Sequence, residues 1–379
     1  MKKFYIVAAT DFVDYNTGKQ NIGGVQTYIR NLALLAIELN FDVTVFQLAD
    51  CPEEKNIIFD GIKVQYVKAK RRQNQKPFDA IYQKYNTPDS VFVIATDMMN
   101  VTSKASNVIA INHGITFDYP GYNVPGFLKK TRLLQHIGKY LRCTSNLYRF
   151  YRTRNTVCVD YNFYNWFRTL GTVYPEKKVR VIPNYASDFI SEEAVKEKLA
   201  KRGEVKKVVF ARRFVEHRGT LLFAKAVNEL QKKYQFDVTF AGGGPDEEAL
   251  KERFKNNPSV HFTIFSASES IEFHKQFDIA VVPTIYSEGT SLSLCEAMSA
   301  GCFPISSYVG GLSNILLDHY NGLMCLPEQR DLVKSLEEAL TMNDQDFDAI
   351  VNNAYWSARK AFSLDLWKKK WAEFIKDVM

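Results

Sequence analysis

No two of the six cysteines, Cys51, Cys143, Cys158, Cys295, Cys302 and Cys325, form a C-x-x-C unit, and no histidine stands near them at metal-ligand spacing. That argues against a zinc site or a disulfide framework and fits a reducing cytosol. Long apolar runs are missing as well. No window approaches the roughly 18 apolar residues of a membrane-spanning helix. The start, MKKFYIVAATDF, is basic like an export signal, but its apolar run is only FYIVAA before Asp11 and Asp14. It reads as a first buried strand. The G-x-G-x-x-G fingerprint is absent, which weakens a dinucleotide reading. Short-period repeats and low-complexity tracts are absent too.

One further absence is local. Residues 119–159 contain no Asp or Glu, yet hold Lys129, Lys130, Arg132, Lys139, Arg142, Arg149, Arg152 and Arg154. Within 126–142, Phe127, Leu134, Ile137 and Leu141 share one helical face. A basic amphipathic helix with aromatics reads as a membrane-surface element over residues 126–154. The plainer alternative is a domain helix with a basic outer face. No nucleic-acid motif accompanies the charge.

What is present supports a large globular protein. The chain has 379 residues, 46% hydrophobic and 24% charged, enough for two domains with sizeable cores. Residues 1–185 hold 25 Lys+Arg against 14 Asp+Glu, a net +11; residues 186–379 hold 24 against 28, a net −4. The first half is therefore the one suited to an anionic surface.

Short apolar runs alternate with amphipathic stretches. FYIVAA, the helical pattern 25–39 and VTVFQL make a strand–helix–strand unit. VFVIA, VIAIN, TVCVD and VRVIP follow as strands. Residues 184–206 are polar and form the best linker candidate. The pattern then restarts with KVVFA, a helix near 219–234, DVTFA, a helix near 246–254, VHFTIF, IAVVP and CFPIS. This predicts an α/β chain of two doubly wound units with parallel sheets. Leu364, Trp367, Trp371, Phe374 and Ile375 predict a packed terminal helix.

The chemistry gathers in YSEGTSLSLCEAMSAG, 286–301. It follows a strand, and ligands in open α/β sheets bind at the C-terminal strand ends. Glu288-Gly289-Thr290 reads as a loop and the following stretch as a helix stopped by Gly301. The helix start offers N–H groups around Thr290–Leu292 to a phosphate. Glu288 and Glu296 lie about 12 Å apart at ~1.5 Å per helical residue. That span fits a sugar, a diphosphate and a ribose, with carboxylates accepting from hydroxyl pairs. On chemistry alone, a solvated loop acid and a surface helix acid are an equal reading.

Other stretches are weaker alone. In VVFARRFVEHRG, Arg212, Arg213 and Arg218 crowd a strand–helix turn beside His217, which suits a polyanion or a basic surface loop. Gly23 and Gly24 open the first helix and allow a close ligand approach. AGGGP, 241–245, reads as a tight connection with a partial role, or as a nucleotide-side turn. His113 ends a strand, where either a structural or a site role is open. DQDFD, 344–348, resembles a metal motif but reads as a helix-cap cluster.

Taken in order, GGVQTYIRNLA, NHG, VIPN, ARRFVEHRG, AGGGP, the Glu–seven–Glu stretch, GGLSNIL and NGL resemble retaining glycosyltransferase family four over nearly the whole chain. The resemblance implies the GT-B fold, with two facing Rossmann-like domains at 1–184 and 185–360 and a C-terminal helix, 361–379, returning to the first. It implies that Glu288 contacts the donor sugar and Glu296 the nucleotide ribose. Arg213 and Arg218 would neutralise the diphosphate, and the Thr290 and Ser291 N–H groups would hold the phosphates. Gly24 would line the phosphate or acceptor side, and His113 would stand near the transferred sugar. Gly289, Leu292 and Phe265 complete the implied donor-binding set; His113, Glu288, Arg213 and Arg218 form the catalytic one. Arg212 departs from the family's usual glycine, Arg218 from its lysine, and Asp160 from a common serine.

The implied activity is metal-independent, cofactor-free, retaining transfer of a hexose from a nucleotide-diphosphate sugar. The acceptor would be a glycan or lipid-linked alcohol, in bacterial surface polysaccharide or glycolipid assembly, at the inner face of the membrane. Two other classes stay open: a non-catalytic GT-B scaffold that binds a partner, and a sugar-nucleotide epimerase.

Overall fold

A computed structural model describes residues 2–379 except 22, 71–72, 97–100, 116–117, 119–124, 172–176 and 287. The central short apolar runs become strands buried on both faces, and the edge strands stay partly exposed. In chain order the first eight are β1 (Lys3–Ala8), β2 (Asp42–Ala49), β3 (Lys55–Phe59), β4 (Ile62–Lys68), β5 (Ser90–Ile94), β6 (Val108–Asn112), β7 (Asn155–Cys158) and β8 (Lys178–Val181). They form one sheet in the order β3-β4-β2-β1-β5-β6-β7-β8. Every pair is parallel except β3 with β4. That antiparallel pair is a hairpin outside the run-based sequence reading. Its turn is Asp60-Gly61, with φ of 52° and 76°, the backbone that a two-residue hairpin requires.

The second sheet contains β9 (Lys206–Ala211), β10 (Phe236–Ala241), β11 (Val260–Thr263), β12 (Ile279–Val282), β13 (Phe303–Ser307) and β14 (Leu323–Cys325). Its order is β11-β10-β9-β12-β13-β14, all parallel. In strand-rank terms this is 3-2-1-4-5-6, the doubly wound order whose direction reverses between its first and fourth strands. Here that point lies between β9 and β12, paired as Val208 with Ile279 and Val209 with Ala280. The core beside it is aromatic: Phe210, Phe223 and Phe240 are fully buried, with ring centroids 5.4–5.9 Å apart. Each such ring stabilises the unit by roughly 1.5–3 kcal/mol.

The chain divides into two compact units. One comprises Met1–His113, Pro120–Ile182 and Lys368–Met379; the other comprises Gly114–Tyr119 and Pro183–Trp367. Within the first unit, Trp371, Phe374 and Ile375 are buried, and Trp371 Nε1 donates to the Tyr28 hydroxyl at 2.8 Å.

The proposed linker 184–206 is not a free connection. It contains the helix Glu192–Ala200, capped by the Ser191 hydroxyl, which accepts from Ala194 N. Ile190 and Val195 sink into the second core. A short surface helix needs only one or two apolar anchors, so its polar composition hides it. DQDFD starts the helix Asp344–Ala361, capped by Asn343. Arg202 pairs there with Asp344 and, at 2.7 Å, with Asp348.

Candidate active site

The second sheet's switch point presents a compact charged cluster. The turn after β9 carries Arg212, and the 3-10 turn Glu216–Arg218 carries Arg218. The loop after β12 carries Thr284 and Glu288. Arg212 Nη2 meets Glu288 Oε2 at 2.5 Å, and Arg218 Nη1 reaches the same oxygen. The Thr284 hydroxyl donates to that oxygen at 3.0 Å. Glu288 is 8% exposed, as is only 6% of the Arg212 side chain. Burial works against ionisation of Glu288, but the two guanidiniums outweigh it and hold the carboxyl down at about 2. His217, beside them, is pushed down to about 4 by burial and by Arg218 and Arg212.

Two glycines make this packing possible. Gly219 has φ +79°, and a Cβ there would stand 1.9 Å from the Pro283 carbonyl oxygen. The arginine turn therefore lies directly on the β12 loop, and Ile285 N donates to His217 O at 2.9 Å. Gly310 has φ +52°, and its Cβ would lie 2.1 Å from Glu288 O. Gly311 N donates to that same oxygen at 2.9 Å. The backbone of Glu288 is thus clamped from behind.

The helix Leu292–Ser299 follows, with Ser291 as its cap. The N–H groups of its first turn lack intrahelical acceptors by geometry. Asn184 Nδ2 donates to Thr290 O at 2.7 Å and fixes the loop just before the helix. Glu296, half-buried on this helix, accepts from the Ser270 hydroxyl at 2.7 Å. Burial pushes its carboxyl up to about 7, against the Ser270 bond. Ser270 O lies 2.7 Å from His274 Nδ1. His274 meets Phe265 edge-on at 5.8 Å, and Phe265 stacks on Phe273 at 4.2 Å.

The structure thus brings Glu288 together with Arg218, and places Gly289, Thr290, Ser291, Leu292 and Glu296 along one loop and helix. Phe265 joins through the Ser270–His274 segment. Arg213 is exposed and makes no ion pair among the described residues. Gly24 and His113 belong to the first unit. Gly24 opens the helix Gly24–Glu38. His113 follows β6, with Nε2 2.9 Å from Ala95 O and its ring edge-on to Tyr28 at 5.3 Å. Sequence reasoning did not assign Thr284, Ser270 or Asn184, and it set Arg212 apart from the paired cations. The motif VIPN contained Asn184; a lone Thr or Ser carries no comparable signal.

Chemically, the cluster has two guanidiniums against one carboxylate, next to a helix start, and so favours an anion. The half-buried Glu296 offers hydroxyl-accepting oxygens farther along the same helix.

Solved structures share this architecture. Sucrose-phosphate synthase from Thermosynechococcus elongatus superposes with a TM-score of 0.72 at 15% identity, covering 100% of this chain and 99% of that one. Anabaena Alr3699/HepE, in complex with UDP-glucose, superposes with a TM-score of 0.68 at 14% identity over 100% of both chains. The fold is that of the GT-B glycosyltransferases. Residues 191–355 match the family described as glycosyl transferases group 1. The chain is 24% identical over 344 residues to a subunit of the human phosphatidylinositol N-acetylglucosaminyltransferase, covering 84% of this chain. It is 26% identical over 204 residues to the uncharacterized glycosyltransferase MJ1607 of Methanocaldococcus jannaschii, covering 50% of this chain. These matches span 66% and 52% of the relatives' own lengths, under two thirds of each.

Proposed function

We propose that this GT-B protein is a retaining glycosyltransferase that moves a hexose from a nucleotide-diphosphate sugar to an acceptor hydroxyl. The observation that carries the reading is the buried Arg212–Glu288–Arg218 cluster at the sheet's switch point, with the second acid, Glu296, on the adjoining helix. In this reading Glu288 orients the donor sugar and Glu296 holds the ribose. Arg218, whose side chain is 29% exposed, turns toward the diphosphate with Arg213, while the more deeply buried Arg212 stays on Glu288. The charge released on the leaving diphosphate is met by guanidiniums and the helix start, with no obligatory metal. His113 and Gly24 are proposed on the side of the transferred sugar and acceptor. Transfer with retention, by a front-face route, is part of the same proposal.

The UDP and UDP-glucose complexes of HepE support a uridine donor. The human relative bears the name of a phosphatidylinositol N-acetylglucosaminyltransferase, which supports a glycolipid acceptor. The proposed setting is assembly of a surface polysaccharide or glycolipid in the cytoplasm, at the inner face of the membrane.

The test is a thermal-shift titration with UDP and other nucleoside diphosphates, followed by sugar-nucleotide turnover. A ligand that binds only the folded state raises its melting temperature, by about 2.7 kcal/mol of stability at a hundredfold excess over Kd. Glu288→Gln, which keeps the side chain's size, should lower turnover by at least about a hundredfold (~2.7 kcal/mol of barrier). No shift with any nucleotide would favour the scaffold, and nucleotide-sugar conversion without acceptor would favour the epimerase.

A further inference from the structure

The helix Arg132–Arg152 turns its apolar stripe the wrong way for a domain helix. Such a stripe normally faces the core. Here Leu133, Ile137, Tyr140, Leu141, Tyr148 and Tyr151, at i, i+4, i+7, i+8, i+15 and i+18, share one face, and all six are exposed. Leu133 is 71% exposed, Tyr140 69% and Leu141 60%. Of the helix's own residues, Gly138 and Phe150 are the buried ones. Phe127, in the turn Gly126–Lys129 just before, is 63% exposed.

Cations border both ends of the stripe. Lys129, Lys130 and Arg132 lie exposed at its start, and Arg152 and Arg154 at its finish. No carboxylate occurs from residue 119 to 159. The stripe runs for about 27 Å at ~1.5 Å per residue.

We infer that this face docks on an anionic lipid surface, with the helix lying in the plane of the headgroups. Leu133, Ile137 and Leu141 enter the acyl boundary, the tyrosine hydroxyls stay at headgroup level, and the flanking cations meet lipid phosphates. A nucleic acid would use the cations but leave the aliphatic residues in water. A second copy seated on this face would bring cationic ends toward cationic ends. An anionic bilayer satisfies both the charge and the apolar stripe.

The experiment is co-sedimentation with vesicles of phosphatidylcholine alone and of phosphatidylcholine mixed with phosphatidylglycerol. The wild-type chain should partition at least about tenfold more strongly onto the anionic vesicles, and added salt should weaken it. The triple variant Leu133→Ser, Ile137→Ser, Leu141→Ser should lose about tenfold or more in binding. The variant Lys129→Ser, Lys130→Ser, Arg132→Ser should lose the preference for anionic vesicles. Because all six substituted side chains are exposed, both variants should keep the wild-type melting temperature, which separates lost docking from lost folding. Equal partitioning of the wild-type chain onto both vesicle types would overturn the inference. So would undiminished binding of the apolar variant, or a wild-type dimer that this variant dissociates in the absence of any vesicle binding. None of these outcomes depends on the nucleotide titration, so the two proposals fail separately.

Discussion

Burial pushes the Glu296 carboxyl up to about 7, and the neutral Ser270 hydroxyl, which donates to it, offsets that only in part. Its folded pKa lies above its unfolded value of 4.5, so the sign of the linkage is fixed. Its contribution is fully present below pH 4.5 and is lost as pH rises toward about 7, where the buried group must ionise. Nucleotide binding should run the other way, since the ionised carboxylate is the better acceptor for ribose hydroxyls. Calorimetry with UDP should give a tighter Kd at pH 8 than at pH 6, and Glu296→Gln should flatten that difference. An unchanged profile in the variant would remove Glu296 from the ribose. The same environmental logic separates Glu288, whose partners are charged. Truncating Glu288 to alanine would leave Arg212 buried with neither its counter-charge nor its carboxylate acceptor, at about 3–5 kcal/mol. Gln also removes the charge but keeps the side chain's volume and one carbonyl acceptor for the guanidiniums, so it is the milder probe, read beside its melting temperature. The sequence made both acids visible through their eight-residue spacing. It did not reveal Arg212's role, because which of two adjacent arginines turns inward is set by the folded turn, where the Arg212 carbonyl packs against Gly242, and residue type alone does not distinguish them.

At the level of elements, the site exists because loops touch backbone to backbone. Gly310→Ala should force a Cβ at left-handed φ into the Glu288 carbonyl and break the Gly311–Glu288 bond. The expected result is a stability loss of at least about 2 kcal/mol and a weaker UDP-induced thermal shift. Retention of both would show that the Glu288 loop does not need this clamp. Fold legibility follows the same division. The buried parallel strands were readable because short unbroken apolar runs suit a sheet covered on both faces. The β3–β4 hairpin and the helix Glu192–Ala200 were not, because one is a half-exposed edge and the other needs few apolar anchors.

Over the whole molecule, the excess positive charge of the first half and the acidic balance of the second follow the two sheets. The first unit is completed by residues far away in sequence. Removing Lys368–Met379 would strip Trp371, Phe374 and Ile375 from its core and leave Tyr28 without its indole donor. Loss of several large buried side chains, at about 3–5 kcal/mol each for an aromatic, exceeds the margin of most domains. The truncated chain should be insoluble or lack a cooperative thermal transition; a normal melt would show the tail to be dispensable.

That tail also sets a timetable for synthesis. Residues 183–367 leave the ribosome before the segment that finishes the first unit, so the earlier-made sheet must wait, incomplete, while the later one is translated and folds. At about 5–20 residues per second this interval lasts on the order of ten to forty seconds. Throughout it, the apolar surface that Trp371, Phe374 and Ile375 cover in the finished unit goes without that cover.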